Sequence, residues 1–168
     1  MNRILNYPRS GSHYLQHLIL NYSGNYVEFD HDLNNSDNDF IISIARDPFE
    51  SIHSRSVMRK HYNGTVDAGI FIGQYVDTYS FLIENANLVI DYKDLISYPQ
   101  ELTVLVCSLL GFKKNIRKYP AQKDTPDVNY LVSSKTVEEY KEEYFNKKNL
   151  EECYSVYLEL LSKSIKLT

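Results

Sequence analysis

Residues 3–22 read Arg3-Ile4-Leu5-Asn6-Tyr7-Pro8-Arg9-Ser10-Gly11-Ser12-His13-Tyr14-Leu15-Gln16-His17-Leu18-Ile19-Leu20-Asn21-Tyr22. Arg3 to Tyr7 is a short strand, and Pro8 to Ser12 is a turn. From His13 to Tyr22 the apolar positions Tyr14, Leu15, Leu18, Ile19 and Tyr22 fall at helical spacing, so one face of the helix is buried. Ser23-Gly24-Asn25 stops it. A strand that turns at once into a helix opens a βα unit, and the rest of the chain is read against that beginning.

Downstream, Tyr26 to Phe29 is a second candidate strand, and Asn34 to Asp39 is a polar loop. Phe40 to Ala45 is a near-continuous apolar run, the pattern of a strand covered on both faces. Asp47 then caps a helix with Pro48 at its first position and Glu50 completing a capping box. That helix runs to about Lys60, and a second covers roughly Val66 to Asn85. Leu88 to Tyr92 is another buried strand. Pro99 opens a helix whose apolar set is Leu102, Leu105, Val106, Leu109 and Leu110. Gly111 closes that helix and Phe112 packs back on it. Lys113 to Ser134 reads as loop and Thr136 to Leu167 as mostly helical. Strands alternating with helices imply a parallel sheet with right-handed crossovers. The fold class is therefore α/β: three layers, α/β/α, around a central mainly parallel sheet. With 168 residues, no repeat and no linker, residues 1–168 form a single domain.

The bulk composition narrows the function classes. A net charge of −4 excludes a general polyanion binder, so no nucleic-acid partner is expected and any anion site must be local. The chain has two cysteines, too few for a disulfide framework, and neither opens a Cys-x5-Arg phosphatase loop. No metal is expected, because no CxxC or HExxH pattern occurs. There is no signal-type apolar segment at the start and no run long enough to cross a membrane, so a cytoplasmic location is expected. The 15 tyrosines carry no functional reading of their own.

Two segments carry chemistry. In the first, the turn Tyr7-Pro8-Arg9-Ser10-Gly11-Ser12 feeds a helix N-terminus, where backbone N–H groups and the helix dipole favour an anion. Gly11 lets the backbone approach it, Ser10 and Ser12 add hydroxyls, and Arg9 adds a charged fork. Alone, the same turn is also an ordinary polar βα connection. In the second segment, Arg46 leaves the end of the buried strand and Ser54 follows eight positions later, about two turns into the next helix. Ligands of open parallel sheets sit beyond the C-terminal strand ends, which puts both segments at one crevice.

Together, Tyr-Pro-Arg-Ser-Gly-Ser after the first strand and Arg-x7-Ser after a later one resemble the sulfotransferases that use 3'-phosphoadenosine-5'-phosphosulfate (PAPS). Leu88 to Leu95, followed by a helix ending Leu109-Leu110-Gly111-Phe112, is a weaker third echo. The resemblance covers roughly residues 3–22 and 40–112. It implies a P-loop NTPase-like sulfotransferase fold, with PAPS as donor and adenosine 3',5'-bisphosphate (PAP) as product. It assigns Arg9, Ser10, Gly11 and Ser12 to the 5'-phosphosulfate, and Arg46 and Ser54 to the 3'-phosphate; His13, at the start of the helix that faces the phosphate, is placed to touch the donor as well. Those two pockets are expected a nucleotide's length apart. The chain departs from the family in three ways. Arg9 stands where cytosolic members have Lys, the chain is short, and no Arg-Lys-Gly-x-x-Gly-Asp-Trp segment closes the nucleotide site.

A hydroxyl acceptor needs a base. His31, in Asp30-His31-Asp32-Leu33 after the second strand, is the candidate, so Arg9 and His31 form the catalytic set. His17 is read as packing, and His53 and His61 as solvated. Arg55 and Arg59 are read as a solvated helix face. Lys135, Lys141, Lys147 and Lys148 are possible substitutes for the missing closing segment. The acceptor is a small molecule or carbohydrate, chosen by residues 61–75 and 113–135. Neither its identity nor the oligomeric state is written in the sequence. Two other functions share these features: a P-loop kinase or NTPase, with Asp91 as a magnesium carboxylate, and a non-catalytic adenosine-bisphosphate binder.

Overall fold

The apolar run at residues 40–45 forms a strand whose two faces support two separate cores. The computed structural model describes residues 1–33, 39–61, 67–115 and 147–166. Its strands are β1 (Asn2–Leu5), β2 (Glu28–Asp30), β3 (Phe40–Ala45) and β4 (Leu88–Asp91). Its helices are α1 (Ser12–Ser23), α2 (Pro48–His61), α3 (Ala68–Asn85), α4 (Tyr92–Ser97), α5 (Pro99–Leu109) and α6 (Lys147–Ser162). The strand period of two sends alternate side chains to opposite faces. Ile4, Ile42, Ile44, Leu88 and Ile90 pack with Leu15 and Ile19 of α1 and with Leu95, Leu102 and Val106 of α4 and α5. Leu5, Ile41, Ala45 and Val89 pack with Ile52 of α2, with Phe71, Tyr75, Tyr79 and Leu82 of α3, and with Cys153, Tyr157 and Leu160 of α6. A four-stranded sheet covered by helices on both faces is compatible with the three-layer α/β/α expectation.

The sheet order is β2-β1-β3-β4, and every pairing is parallel. From β1 the chain moves one way to reach β2, and from β3 it moves the other way to reach β4. The order therefore reverses between β1 and β3, and the loops leaving these two strands lie at the position where open parallel sheets bind their ligands.

Several boundaries differ from the sequence expectations. β1 ends at Leu5 rather than Tyr7, β2 begins at Glu28, and α1 begins at Ser12. Tyr92 is the first residue of α4, because Asp91 caps that helix by accepting the Lys93 N–H at 2.9 Å. On α5 the buried stripe is Leu102, Thr103, Val106 and Cys107. Thr103 and Cys107 turn the buried arc away from Leu109, which is 54% exposed. At the other end, Phe112 N–H donates to Cys107 O at 2.8 Å and Gly111 N–H to Ser108 O at 3.1 Å. With Gly111 at φ 70, this is a Schellman stop, and Phe112 packs against the core as expected. The loop at residues 34–38, the start of the second long helix at Val66, and residues 116–146 of the two C-terminal expectations lie outside the described residues.

Candidate functional site

The turn after β1 is held by one buried side chain. The β1–β3 ladder runs only to the Ile4–Ile42 rung. There Asn6 takes over: its Oδ1 accepts the Ile44 N–H at 2.6 Å and the Ser43 hydroxyl at 3.2 Å. Its Nδ2 donates to Ser12 Oγ at 3.1 Å. The amide thus continues the ladder where the backbone leaves it, and ties the first residue of α1 to β3. Arg9 at φ 72 and Gly11 at φ 99 bend the intervening chain. Gly11 is the N-cap of α1, and no side chain caps the first turn. The first N–H groups of a helix have no partner within it, which suits an anion.

Gly11 has a different reason from the one expected. A Cβ there would meet Tyr92 Cε2 at 3.2 Å and Leu95 Cδ2 at 3.4 Å. The glycine therefore serves its positive φ and the packing of α4 against the turn. The side its Cβ would occupy is filled by protein rather than left open to a ligand.

Arg9, Arg46 and Ser54 converge. Arg46 Nη1 donates to the Arg9 carbonyl at 2.6 Å, and Arg9 Nε donates to Ser54 Oγ at 3.2 Å. The expected separation of Arg9 from the Arg46–Ser54 pair is not present. The reason is topological: β1 and β3 are neighbours, about 4.8 Å apart as strands are, so the turn after one packs directly on the helix after the other. Asp47 caps α2 as expected, accepting the Glu50 N–H at 3.1 Å. Glu50 does not return the bond in a capping box. Its carboxylate pairs with Arg46 Nε at 3.3 Å. The Arg46 guanidinium also lies over the Tyr92 ring, 4.2 Å from its centre.

His13 and His31 both lie against the Phe29 ring. Their ring centres are 4.1 Å and 6.0 Å from it. His31 Nδ1 lies 2.7 Å from the Asn6 carbonyl oxygen. A carbonyl only accepts, so Nδ1 carries the proton, and in the neutral ring Nε2 holds the free lone pair. Asp30 accepts the backbone N–H groups of His31 and Asp32 at 2.6 and 3.0 Å, and these bonds to its backbone neighbours hold its carboxyl below the usual range. Burial, then the charges of His31 and Arg9, lower His13 from its ordinary 6.5. Ser10 is buried and stands beside the Tyr79 hydroxyl.

Other residues were placed wrongly by sequence. Arg55 is not a solvated residue: its guanidinium lies 5.0 Å from the Tyr7 ring centre and 4.5 Å from that of Phe71. Burial pushes the Tyr7 hydroxyl up to about 12, with Arg55 opposing. His53 stacks on Phe49 at 5.8 Å, within 4° of parallel, instead of standing in solvent. Asn6 and Tyr92 were missed. An Asn after a strand matches no motif, and Tyr92 was read as the end of β4. Among the described residues no cluster of three or more His, Cys, Asp or Glu could hold a metal ion. Also among them, no helix is long and apolar enough to cross a membrane. Lys135 and Lys141 lie outside the described residues, as do the side chains of His61, Lys147 and Lys148. Neither a family model, nor a curated protein, nor a solved structure matches the chain.

Proposed function

We propose that this chain is a sulfotransferase that moves the sulfuryl group of PAPS to a hydroxyl or amine of a small-molecule or carbohydrate acceptor. One observation carries the reading: the Arg9–Ser12 turn and the Arg46–Ser54 pair, far apart in sequence, meet at the sheet's switch point, with Arg46 Nη1 2.6 Å from the Arg9 carbonyl. Arg9 and the free N–H groups of the first turn of α1 take the phosphosulfate. Arg46 and Ser54 take the 3'-phosphate, and the Arg9–Ser54 bond gives way when the nucleotide enters. Sulfuryl transfer resembles phosphoryl transfer in depending on position and charge stabilisation. The acceptor oxygen bonds to sulfur as the bond from sulfur to the 5'-phosphate oxygen breaks. The acceptor's proton passes to His31 Nε2. The charge gathered on the leaving phosphate of PAP is neutralised by Arg9, which as an arginine donates hydrogen bonds but no proton. For a magnesium-dependent kinase, Asp91 is the available carboxylate, but its Oδ1 is used to cap α4.

The test is thermal stabilisation by PAP without metal, compared with ATP and magnesium. At a hundred-fold excess over Kd, a ligand stabilises by about 2.7 kcal/mol, which raises the melting temperature by roughly 5–10 °C. A shift with ATP and magnesium alone would replace the sulfotransferase by the kinase. Arg46→Ala should weaken PAP binding by about 2–3 kcal/mol, and comparable affinity would count against the 3'-phosphate role. His31→Ala should lower turnover while donor affinity stays. PAP binding with no turnover on any hydroxyl or amine would leave a non-catalytic binder.

A further inference from the structure

The abundance of tyrosine has a local use at Arg46. β3 ends at Ala45, so the peptide groups of Arg46 have no ladder partner. Tyr79 of α3 supplies one: its hydroxyl accepts the Arg46 N–H at 2.8 Å and lies 3.0 Å from the Arg46 carbonyl. Tyr75, one turn earlier, donates to the same carbonyl at 2.7 Å. The two rings stack 4.0 Å apart at 22° and are fully buried. Burial raises both hydroxyls above their ordinary 10, so they stay protonated and the contact does not titrate near neutral pH. At the far end of the same residue, Tyr92 supports the guanidinium through its ring face. The backbone of Arg46 is therefore fixed from α3 and its head from α4. Phenylalanine at 75 and 79 would fill the same space but leave the peptide without its hydroxyl partners.

We propose that Tyr75, Tyr79 and Tyr92 are positioning residues that aim Arg46 into the crevice, a role in ligand binding that rests on reading Arg46 as the cation for a nucleotide phosphate. They touch no ligand themselves. Tyr75 and Tyr79 fix the backbone direction from which the side chain departs, and Tyr92 selects the rotamer that reaches the Arg9 turn.

The experiment combines PAP titration calorimetry with the NMR signal of the Arg46 Nε–H group, recorded without ligand. In the intact chain the Tyr92 ring current should shift that signal. Tyr79→Phe and Tyr75→Phe should each move it and weaken PAP binding about 3- to 10-fold. Tyr92→Phe should leave both within about twofold, whereas Tyr92→Leu should lose the ring-current shift and about 5-fold in affinity. Combined with Arg46→Ala, Tyr79→Phe should cost nothing further. An equal loss on that background would show a purely structural role and overturn the proposal. Should Tyr79→Phe not fold, Tyr75→Phe carries the same comparison. If the unaltered chain binds no PAP, the nucleotide reading fails. The Arg46 signal then decides the positioning role alone, and a signal unmoved by Tyr75→Phe or Tyr79→Phe overturns it.

Discussion

Asn6→Ala should destabilise the fold out of proportion to its size. The side chain is 1% exposed and makes three hydrogen bonds, to Ile44, Ser43 and Ser12. The Ser43 hydroxyl can rotate toward another acceptor, and the Ser12 oxygen loses one donor but keeps its own hydroxyl free to donate elsewhere, so these two losses are partly recovered. The Ile44 N–H cannot turn: it points toward the side of β3 where the β1 backbone has already left the ladder. A buried group stranded in this way costs about 1–3 kcal/mol, and the two serines add on the order of 1 kcal/mol together. The total is about 2–4 kcal/mol, a large share of the roughly 5–15 kcal/mol that holds a domain of this kind. Urea unfolding followed by circular dichroism should show the midpoint falling with the slope unchanged. Asn6→Asp keeps an acceptor for Ile44 and should recover part of the loss, while its negative charge beside the turn weakens anion binding. A change below about 1 kcal/mol for Asn6→Ala would mean that the amide does not continue the ladder.

Gly11→Ala should cost about 2 kcal/mol, from left-handed strain at φ 99 and the Tyr92 contact at 3.2 Å; an unchanged melting temperature would refute both causes. His13 is lowered from 6.5, first by burial and then by His31 and Arg9. In the window between the lowered and ordinary values it is neutral when folded and protonated when unfolded, so its contribution is present above about 6.5 and fades as pH falls through the lowered value. His13→Asn should flatten that acid limb in urea midpoints, and an unaltered limb would remove His13 as its source. The Cys153 thiol is pushed up to about 12 by burial, and Cys107 is buried and raised as well. An aromatic disulfide reagent should label neither in the native protein; fast native labelling of Cys107 would contradict the packing of α5, and of Cys153 that of α6.

The layers were legible because each depends on a short-range pattern. A run of apolar residues at 40–45 says that both faces are covered, and Gly111-Phe112 says where a helix stops, since both statements need only neighbouring residues. The meeting of Arg9, Arg46 and Ser54 at one crevice was legible one step further on, because parallel strands send their outgoing loops to the same edge. Their mutual distance was not. It depends on which strands are adjacent, and the order β2-β1-β3-β4 makes β1 and β3 neighbours. Arg55 was misread for a related reason: helical period marks a face as polar, but a guanidinium can leave that face to lie over Tyr7 and Phe71. Asn6, Tyr75, Tyr79 and Tyr92 escaped entirely, since their roles are bonds to peptide groups or contacts with partners tens of residues away.

The crevice combines a fixed backbone with engaged side chains, and that combination bears on how it would take an anion. The turn is prepared in advance. Arg9 at φ 72 sits in a region that costs a non-glycine residue about 1–2 kcal/mol, and the Arg46 bond to its carbonyl, with the Asn6 bond to Ser12, holds it there. An anion at the first turn of α1 therefore meets N–H groups already in place and does not bear the cost of ordering them. The guanidinium groups are in a different state. Arg9 bonds Ser54, and Arg46 is shared between Glu50, Tyr92 and the Arg9 carbonyl. These partners differ in how readily they yield: Glu50 is largely in solvent, where such pairs contribute about 0–1 kcal/mol, whereas the carbonyl contact is short and partly buried. A phosphate can displace Glu50 at little cost while Arg46 stays on the turn. Glu50→Gln should therefore tighten anion binding a few-fold without moving the turn, and a loss of affinity would show that the carboxylate supports Arg46 rather than competes for it.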